Sequence, residues 1–495
     1  MLALIKKYQS WFWSAAGFMA LFLIYFVGRS YLDLSVNFIS AAIILIILLA
    51  ILLVIFMVNP KTGILFLVFS LPFERIPTLE ISGYTLKINQ IIIMVLALAF
   101  LGHLAVKKDF KIAANPLLPG LLLFLAAAAL SFLNSQVLSR SILIFSLFVF
   151  MALVFFLTPN LIKNTRDINS IIKILTTVTI LLCLFGIFQF LGDRWGFSQS
   201  LTGLRDAYTK HVLGFTRIQA TLLEPLYLAN FLIIPLCLFA ALFLSNQIKT
   251  KWYWLALFFI LVLTVFILTI ARSGYLGLAA GLLVIILFRV KSYFSLKKQI
   301  FVVIVLVFTG LACLGLLGNS YKLFLAHGQA PLQGDEEASS AERKMTIKKG
   351  LAAYLSQPIL GIGLGNYGPY FANYPSKMPA SGWQTVNNQY VEILAEMGLV
   401  GAVFFGIFLL AILARSWLAF WQTKDQFLSA VLLGLTAALV GILVQFYFFS
   451  TLYIVYIWFL LGLLVAVQEM IFRKKGRDDK SIDKKSVDEK SLPAN

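Results

Sequence analysis

Charge is scarce in this chain. Asp, Glu, Lys and Arg make up 12% of its 495 residues, about half the share usual in soluble globular domains. Hydrophobic residues make up 61% and the mean hydropathy is +0.93. These values exclude a soluble globular protein and point to a polytopic membrane protein. Cysteine is equally sparse: Cys183, Cys237 and Cys313 all fall within apolar runs, where the thiol behaves as a small hydrophobe, so neither a disulfide framework nor a metal cluster is indicated. Acidic residues number 21 against 40 basic ones, for a net charge of +19. Much of that excess lies in short connections between apolar runs, where topology and anionic lipid account for it without nucleic acid.

Long charge-free runs are abundant. Residues 41–58, 258–270 and 301–317 carry no charged side chain, and a spanning helix needs roughly 20 apolar residues. An all-α polytopic membrane protein with about 12–14 transmembrane helices is therefore expected. Spans fall near 11–28, 36–58, 62–73, 88–106, 116–133, 141–158, 168–192, 225–245, 252–270, 273–289, 299–317, 390–414, 428–449 and 451–472. The third is short for a full crossing. Counting it as one, with Lys6 and Lys7 inside, brings every strongly basic short connection to the same side: Lys107, Lys108 and Lys111; Lys163 and Arg166; Lys249 and Lys251; Arg289 to Lys298; Arg415 and Lys424. Both termini are then cytoplasmic. The first span lacks a small-residue cleavage site and reads as a retained helix.

The organisation expected is an N-terminal transmembrane bundle (1–317), an extracytoplasmic loop (318–386), C-terminal transmembrane helices (387–472) and a charged tail (473–495) too poor in apolar residues to order itself. The long loop interrupts a chain otherwise suited to lipid. Within it, Ser339 and Glu342 have capping-box spacing and predict a helix start, with Gln357-Pro358 at its end. The Gly361, Gly363, Gly365 run has no preceding strand and lacks dinucleotide-loop spacing, so it reads as a backbone turn that folds the loop back.

The other outward segments carry arginines. Arg272 lies in LTIARSGYLG, at the junction of two apolar helices with almost no loop between them, and Arg217 lies just before a span. A guanidinium at such a depth must reach the interface or meet an anion. Arg343 falls near the start of the loop helix, where the nearby Lys344, Lys348 and Lys349 read as a solvated face.

The order of these features, closed by GIGLGNY and by NNQYVEILAEMGLVG (387–401), resembles the O-antigen ligase and polymerase superfamily of bacterial envelope glycosyltransferases. The resemblance is best from about 217 to 401. It implies a multi-pass protein of the bacterial inner membrane that takes a glycan from a polyprenyl (undecaprenyl) diphosphate carrier outside the membrane. The glycan passes to another repeat unit in polymerases, or to a lipid A-core sugar in ligases. The implied partners are the carrier-linked donor, a glycan or lipid A-core acceptor and membrane lipids. No cofactor or metal is implied, because fixed guanidinium forks can neutralise a diphosphate leaving group.

Residue by residue, the resemblance gives Arg272 and Arg343 the diphosphate, and Arg217 a further phosphate or glycan contact. Its loop ends in a histidine followed by Asn, with a glycine eleven positions after the histidine; here Asn387 stands at the histidine position, followed by Asn388, with Gly398 at that spacing. An amide can orient an acceptor hydroxyl but cannot take its proton near neutral pH. Three readings stand open. The proton is lost late and Asn387 only positions the acceptor; another group (Glu392, Glu224, His211 or His327) stands in; or the chain does a related job without this step. Glu392 and Glu396 share one helix face at i, i+4, and His103, inside a span, reads as a core residue. Tyr367, Tyr370, Tyr374, Trp383 and Tyr390 could stack on sugars or belong to an interfacial aromatic belt. A transporter or flippase is the alternative of another class, but the mid-span stretches are almost free of charge and no repeat is visible. A silent scaffold of an envelope-synthesis complex is a third.

Overall fold

The computed structural model describes residues 49–75, 78–81, 84–107, 115–248, 250–293, 295–320, 322, 335–371 and 385–490. The expected first span, most of the second, Lys6 and Lys7, His327, Tyr374 and Trp383 lie outside the described residues.

Apolar helices dominate. Eight are long and apolar enough to cross a membrane by length and composition, and five shorter apolar helices accompany them. Together they match each expected span from 36–58 onward. After the helix Leu49–Val58 come α1 (Pro60–Ser70), a two-stranded hairpin of β1 (Thr78–Ile81) and β2 (Tyr84–Lys87), α2 (Ile88–Lys107), α3 (Leu118–Leu130), α4 (Leu138–Leu161) and α5 (Thr165–Arg194). Then follow α6 (Pro225–Leu244), α7 (Trp252–Leu268), α8 (Arg272–Tyr293), α9 (Leu296–Leu317), the loop helix α10 (Asp335–Ser356), α11 (Gln389–Gln422), α12 (Gln426–Gln445) and α13 (Val455–Lys490). Short helical turns at Gln199–Thr202, Lys210–Leu213 and Tyr367–Phe371 punctuate the connections.

The centre is formed by α6, α12 and the apolar part of α13, the helices with most of their surface buried; α9 lies at the periphery, largely uncovered. Small residues permit the closest approach. A Cβ on Gly277 would sit 2.6 Å from the Gly441 carbonyl, and one on Gly281 would meet the Ala437 carbonyl at 2.8 Å. Since lipid removes the hydrophobic drive between helices, such backbone proximity is the main source of their attraction. The two contacts also fix α8 and α12 as antiparallel.

Two ends result. At one end, Lys61 pairs with Asp167 at 2.8 Å, His103 Nδ1 bonds the Met57 carbonyl at 2.8 Å, and Arg415 pairs with Glu469 at 2.5 Å. The buried Lys298 ammonium donates to Leu244 O at 2.7 Å, closing the C-terminus of α6. The opposite end gathers the hairpin, residues 189–224, the α7–α8 junction, the loop helix and residues 443–454, linked by the hydrogen bonds described below.

Two expectations shift. The loop helix begins at Asp335 rather than at the Ser339 capping box. The last helix continues through the charged tail to Lys490, because a backbone ladder i→i+4 needs no apolar face. Residues 491–495 lie outside the described residues.

Candidate functional site

The GIGLGNY turn is built into the framework. Helix α11 breaks at Gly398, whose φ of 63° and ψ of −164° are non-helical, so backbone groups on either side lose their i→i+4 partners. The turn supplies partners in their place. Ala395 and Glu396 carbonyls accept from Ile362 N–H (2.9 Å) and Gly363 N–H (3.1 Å), while Leu399 and Val400 N–H donate to Pro358 O (2.8 Å) and Ile359 O (3.2 Å). Four of the freed groups are satisfied in this way. The buried Glu396 carboxylate accepts from Gly365 N–H at 2.7 Å and Tyr367 N–H at 3.1 Å. Gly363, at φ 97°, lies against the Ser135 backbone, where a side chain has no room. Asn366 completes the joint: its Oδ1 accepts Val137 N–H (2.7 Å) and its Nδ2 donates to Ser141 Oγ (2.7 Å).

The 387–390 segment is tied to the α12–α13 turn. Asn388 caps α11, accepting from Tyr390 N–H (3.1 Å) and Val391 N–H (3.0 Å), and its Nδ2 donates to Tyr447 O (3.0 Å). Gln389 N–H donates to Phe446 O (2.9 Å) while its side-chain oxygen accepts from Thr451 N–H (2.9 Å) and Leu452 N–H (2.8 Å). The Tyr390 hydroxyl donates to Leu443 O at 2.8 Å. Asn387 itself adopts φ 56°, a conformation Asn tolerates better than most residues, at the start of this rim. Thr346 Oγ1 bonds the Val386 carbonyl at 2.9 Å, and Gly350 admits Val391 closely. Arg343, exposed one helical turn before Thr346, is thereby brought to the Asn387 end of the rim.

Arg217 and Arg272 meet at the α7–α8 junction. Arg217 Nε donates to Thr269 O (3.1 Å) and Nη2 to Ile270 O (3.2 Å), while Ile218 N–H donates to Leu268 O (3.2 Å). Ile270 has φ 53°, which costs a β-branched residue on the order of 1–3 kcal/mol and persists only where the surroundings over-determine it. The Arg217 bonds supply that constraint. The kink turns the chain directly into α8, leaving Arg272 exposed as its first residue. Counting five residues in opposite directions from the Gly277–Gly441 contact puts Arg272 level with Phe446, the residue that Gln389 bonds. Arg272, Asn387 and Arg343 therefore border one region.

Beneath the rim lies a buried polar cluster that the sequence only partly signals. Glu392 is enclosed beside the Ser450 hydroxyl and the Val386 backbone, and Thr451 Oγ1 is buried nearby without a hydrogen-bond partner among the described residues. Arg140 lies within electrostatic range of Glu392 and Glu396, and its Nε donates to Gly365 O. Tyr453 faces the same carboxylates; burial, and then Glu392, push its hydroxyl well above the usual tyrosine range. Glu224, before α6, joins this cluster to Tyr208, whose hydroxyl is raised by burial first and by Glu224 next. Of the groups named as stand-ins for the histidine, Glu392 and Glu224 belong to this cluster, His211 is exposed on its short helical turn and His327 lies outside the described residues; His103 is at the opposite end. Arg140 and Tyr453 have no marker in the sequence, because each acts through contacts far away in the chain; Asn366 and Gln389 lie inside the GIGLGNY and NNQYV motifs, but their partners at 137–141 and 446–452 are legible only in the fold.

An all-α polytopic membrane protein with arginines gathered around one polar end is the class these features define. The family model described as O-antigen ligase matches residues 257–406, from α7 through the loop to beyond the Gly398 break, and supports the O-antigen ligase and polymerase superfamily for this chain. The matched stretch contains Arg272, Arg343, Asn387 and Glu392. No curated protein matches the chain.

Proposed function

We propose that the protein is a membrane glycosyltransferase that moves a glycan from a polyprenyl diphosphate carrier to an acceptor sugar on the outer side of the bacterial inner membrane. The observation that carries this is the convergence of Arg272 at the start of α8, Arg343 on α10 and Asn387 just before α11 on one rim. Arg272 and Arg343 hold the diphosphate, and Arg217 fixes the junction that presents Arg272. An acceptor hydroxyl oxygen attacks the anomeric carbon as the bond from that carbon to the diphosphate oxygen breaks; the bonding pair leaves with the diphosphate, whose growing charge the guanidiniums neutralise without a metal. Asn387 orients the hydroxyl, and its proton passes to Glu392, the enclosed carboxylate nearest in sequence to the rim. Asn388 and Tyr390 hold the rim through their bonds to the 443–447 carbonyls, leaving the half-buried Tyr390 ring as a stacking face for sugar.

Orientation follows from where cations lie. Lys61, Lys163, Arg166, Lys251, Lys297 and Lys424 lie at the end opposite Arg272, which makes that end cytoplasmic by the positive-inside bias. Both termini then lie in the cytoplasm and the 318–386 loop outside.

The test is Arg272→Ala and Arg343→Ala in a strain lacking the protein, with surface polysaccharide resolved on a gel. Loss of one charge stabiliser should slow transfer about 10²–10³-fold. Long chains replaced by single-unit products identify a polymerase that extends glycan; carrier-linked polymer absent from lipid A-core identifies a ligase. Normal glycan in both variants overturns the proposal.

A further inference from the structure

Two arginines outside the matched stretch face one another near the proposed diphosphate site. Arg75 follows α1, and its backbone N–H donates to Thr221 O at 3.0 Å. Its Nη2 donates to Gly203 O, which also accepts from Gln219 Nε2 at 3.1 Å. Gln189 pins the same segment, donating to Thr202 O (3.0 Å) and Ala220 O (3.1 Å) and accepting Ala220 N–H (2.7 Å). Arg205 projects from this rigid frame as an exposed residue, next to Tyr208, over whose ring the Arg217 guanidinium lies at 5.8 Å. Arg205 thus lies between the Arg75 charge and Tyr208, with Arg217 on the other side of that ring.

Among the described residues, the nearby carboxylates have other partners than Arg75. Glu74 is bonded to Lys87 (2.6 Å) and Asn89 (3.0 Å), Asp193 to Lys210 N–H (2.8 Å) and Thr216 Oγ1 (2.6 Å), and Asp206 to Gln199 (3.0 Å). Glu224 reaches Tyr208 from the α6 side. Arg75 Nε is buried without a hydrogen-bond partner among the described residues. Burial, and then the Arg205 charge, lower the Arg75 guanidinium to about 10. Like charges held together at such a cost, with a buried donor unused, fit a site completed by an anion. Outward arginine also runs against the positive-inside bias.

We propose that Arg75 and Arg205 form a second anion site, which takes a carboxylate- or phosphate-bearing sugar of the donor glycan, with Arg217 lying between it and the diphosphate held by Arg272. The donor glycan is therefore acidic. This rests on the proposed transferase reading, and its test separates the two. Purified full-length protein in nanodiscs is titrated with a glucuronate-containing tetrasaccharide, with its neutral glucose counterpart and with inorganic pyrophosphate. Wild type should bind the uronate form about tenfold tighter than the neutral one, the effect of one charge-assisted contact. Arg75→Gln and Arg205→Gln should abolish that preference and leave pyrophosphate binding intact; Arg272→Gln should do the reverse. Equal binding of the two tetrasaccharides with pyrophosphate still bound overturns the second site alone. Loss of pyrophosphate binding in Arg75→Gln assigns the arginine to the carrier diphosphate and overturns it too. Binding of neither anion overturns both readings.

Discussion

Glu396 illustrates how a residue of apparent chemical interest is taken up by architecture. Its i, i+4 relation to Glu392 suggests paired carboxylates, yet it accepts two backbone N–H groups of the glycine turn. Glu396→Ala orphans both buried donors, at about 1–3 kcal/mol each, and should lower the thermal midpoint in detergent and abolish transfer, whereas Glu396→Gln, with one acceptor oxygen left, should recover part of the stability. Glu392 instead lies beside the Ser450 hydroxyl and the Val386 backbone, contacts that an isosteric Gln can keep. Glu392→Gln should therefore leave the thermal midpoint nearly unchanged and slow turnover about 10²–10⁴-fold, the span of general base catalysis. Adding Asn387→His, which suits the backbone there because His also tolerates positive φ, should restore turnover in the Glu392→Gln background. Equal turnover of Glu392→Gln and wild type would remove Glu392 as the base.

Helices are where sequence and structure agree best, because crossing a bilayer requires long apolar runs that hydropathy reports directly. The ends and breaks are less legible. The Gly398 break depends on carbonyls and amides of residues 358–363, far away in the chain, so the local sequence reads as one continuous helix. The 387–390 rim depends likewise on the 443–452 turn. Arg272 and Arg343 are recognisable from their place at a helix junction and in a loop helix, whereas Arg140 has no such marker. Packing between helices yields its own prediction. Gly441→Leu would drive a side chain into the Gly277 carbonyl, 2.5 Å from the new Cβ, separating α8 from α12 and displacing Arg272; thermal midpoint and surface glycan should both fall. Gly310→Ala, on the uncovered α9 with open space around it, should be neutral or stabilise by up to about 1 kcal/mol through helix propensity.

At the scale of the whole molecule, the net charge of +19 is spread over both ends. Lys61, Arg166, Lys251, Arg415 and Lys424 lie at one end, the proposed cytoplasmic one, and Arg217, Arg272, Arg343 and Lys344 at the other, around the rim. Both assignments depend on which end faces out, and one measurement decides it. The buried Cys183, Cys237 and Cys313 are replaced by alanine, and single cysteines are placed at the exposed positions Ser200, Lys344 and Lys424. Intact spheroplasts are then treated with a membrane-impermeant maleimide. Labelling of Ser200→Cys and Lys344→Cys without permeabilisation, with Lys424→Cys labelled only after it, is the expected result. Labelling of Lys424→Cys alone in intact cells would put Arg272 and Arg343 in the cytoplasm and contradict transfer at the outer face.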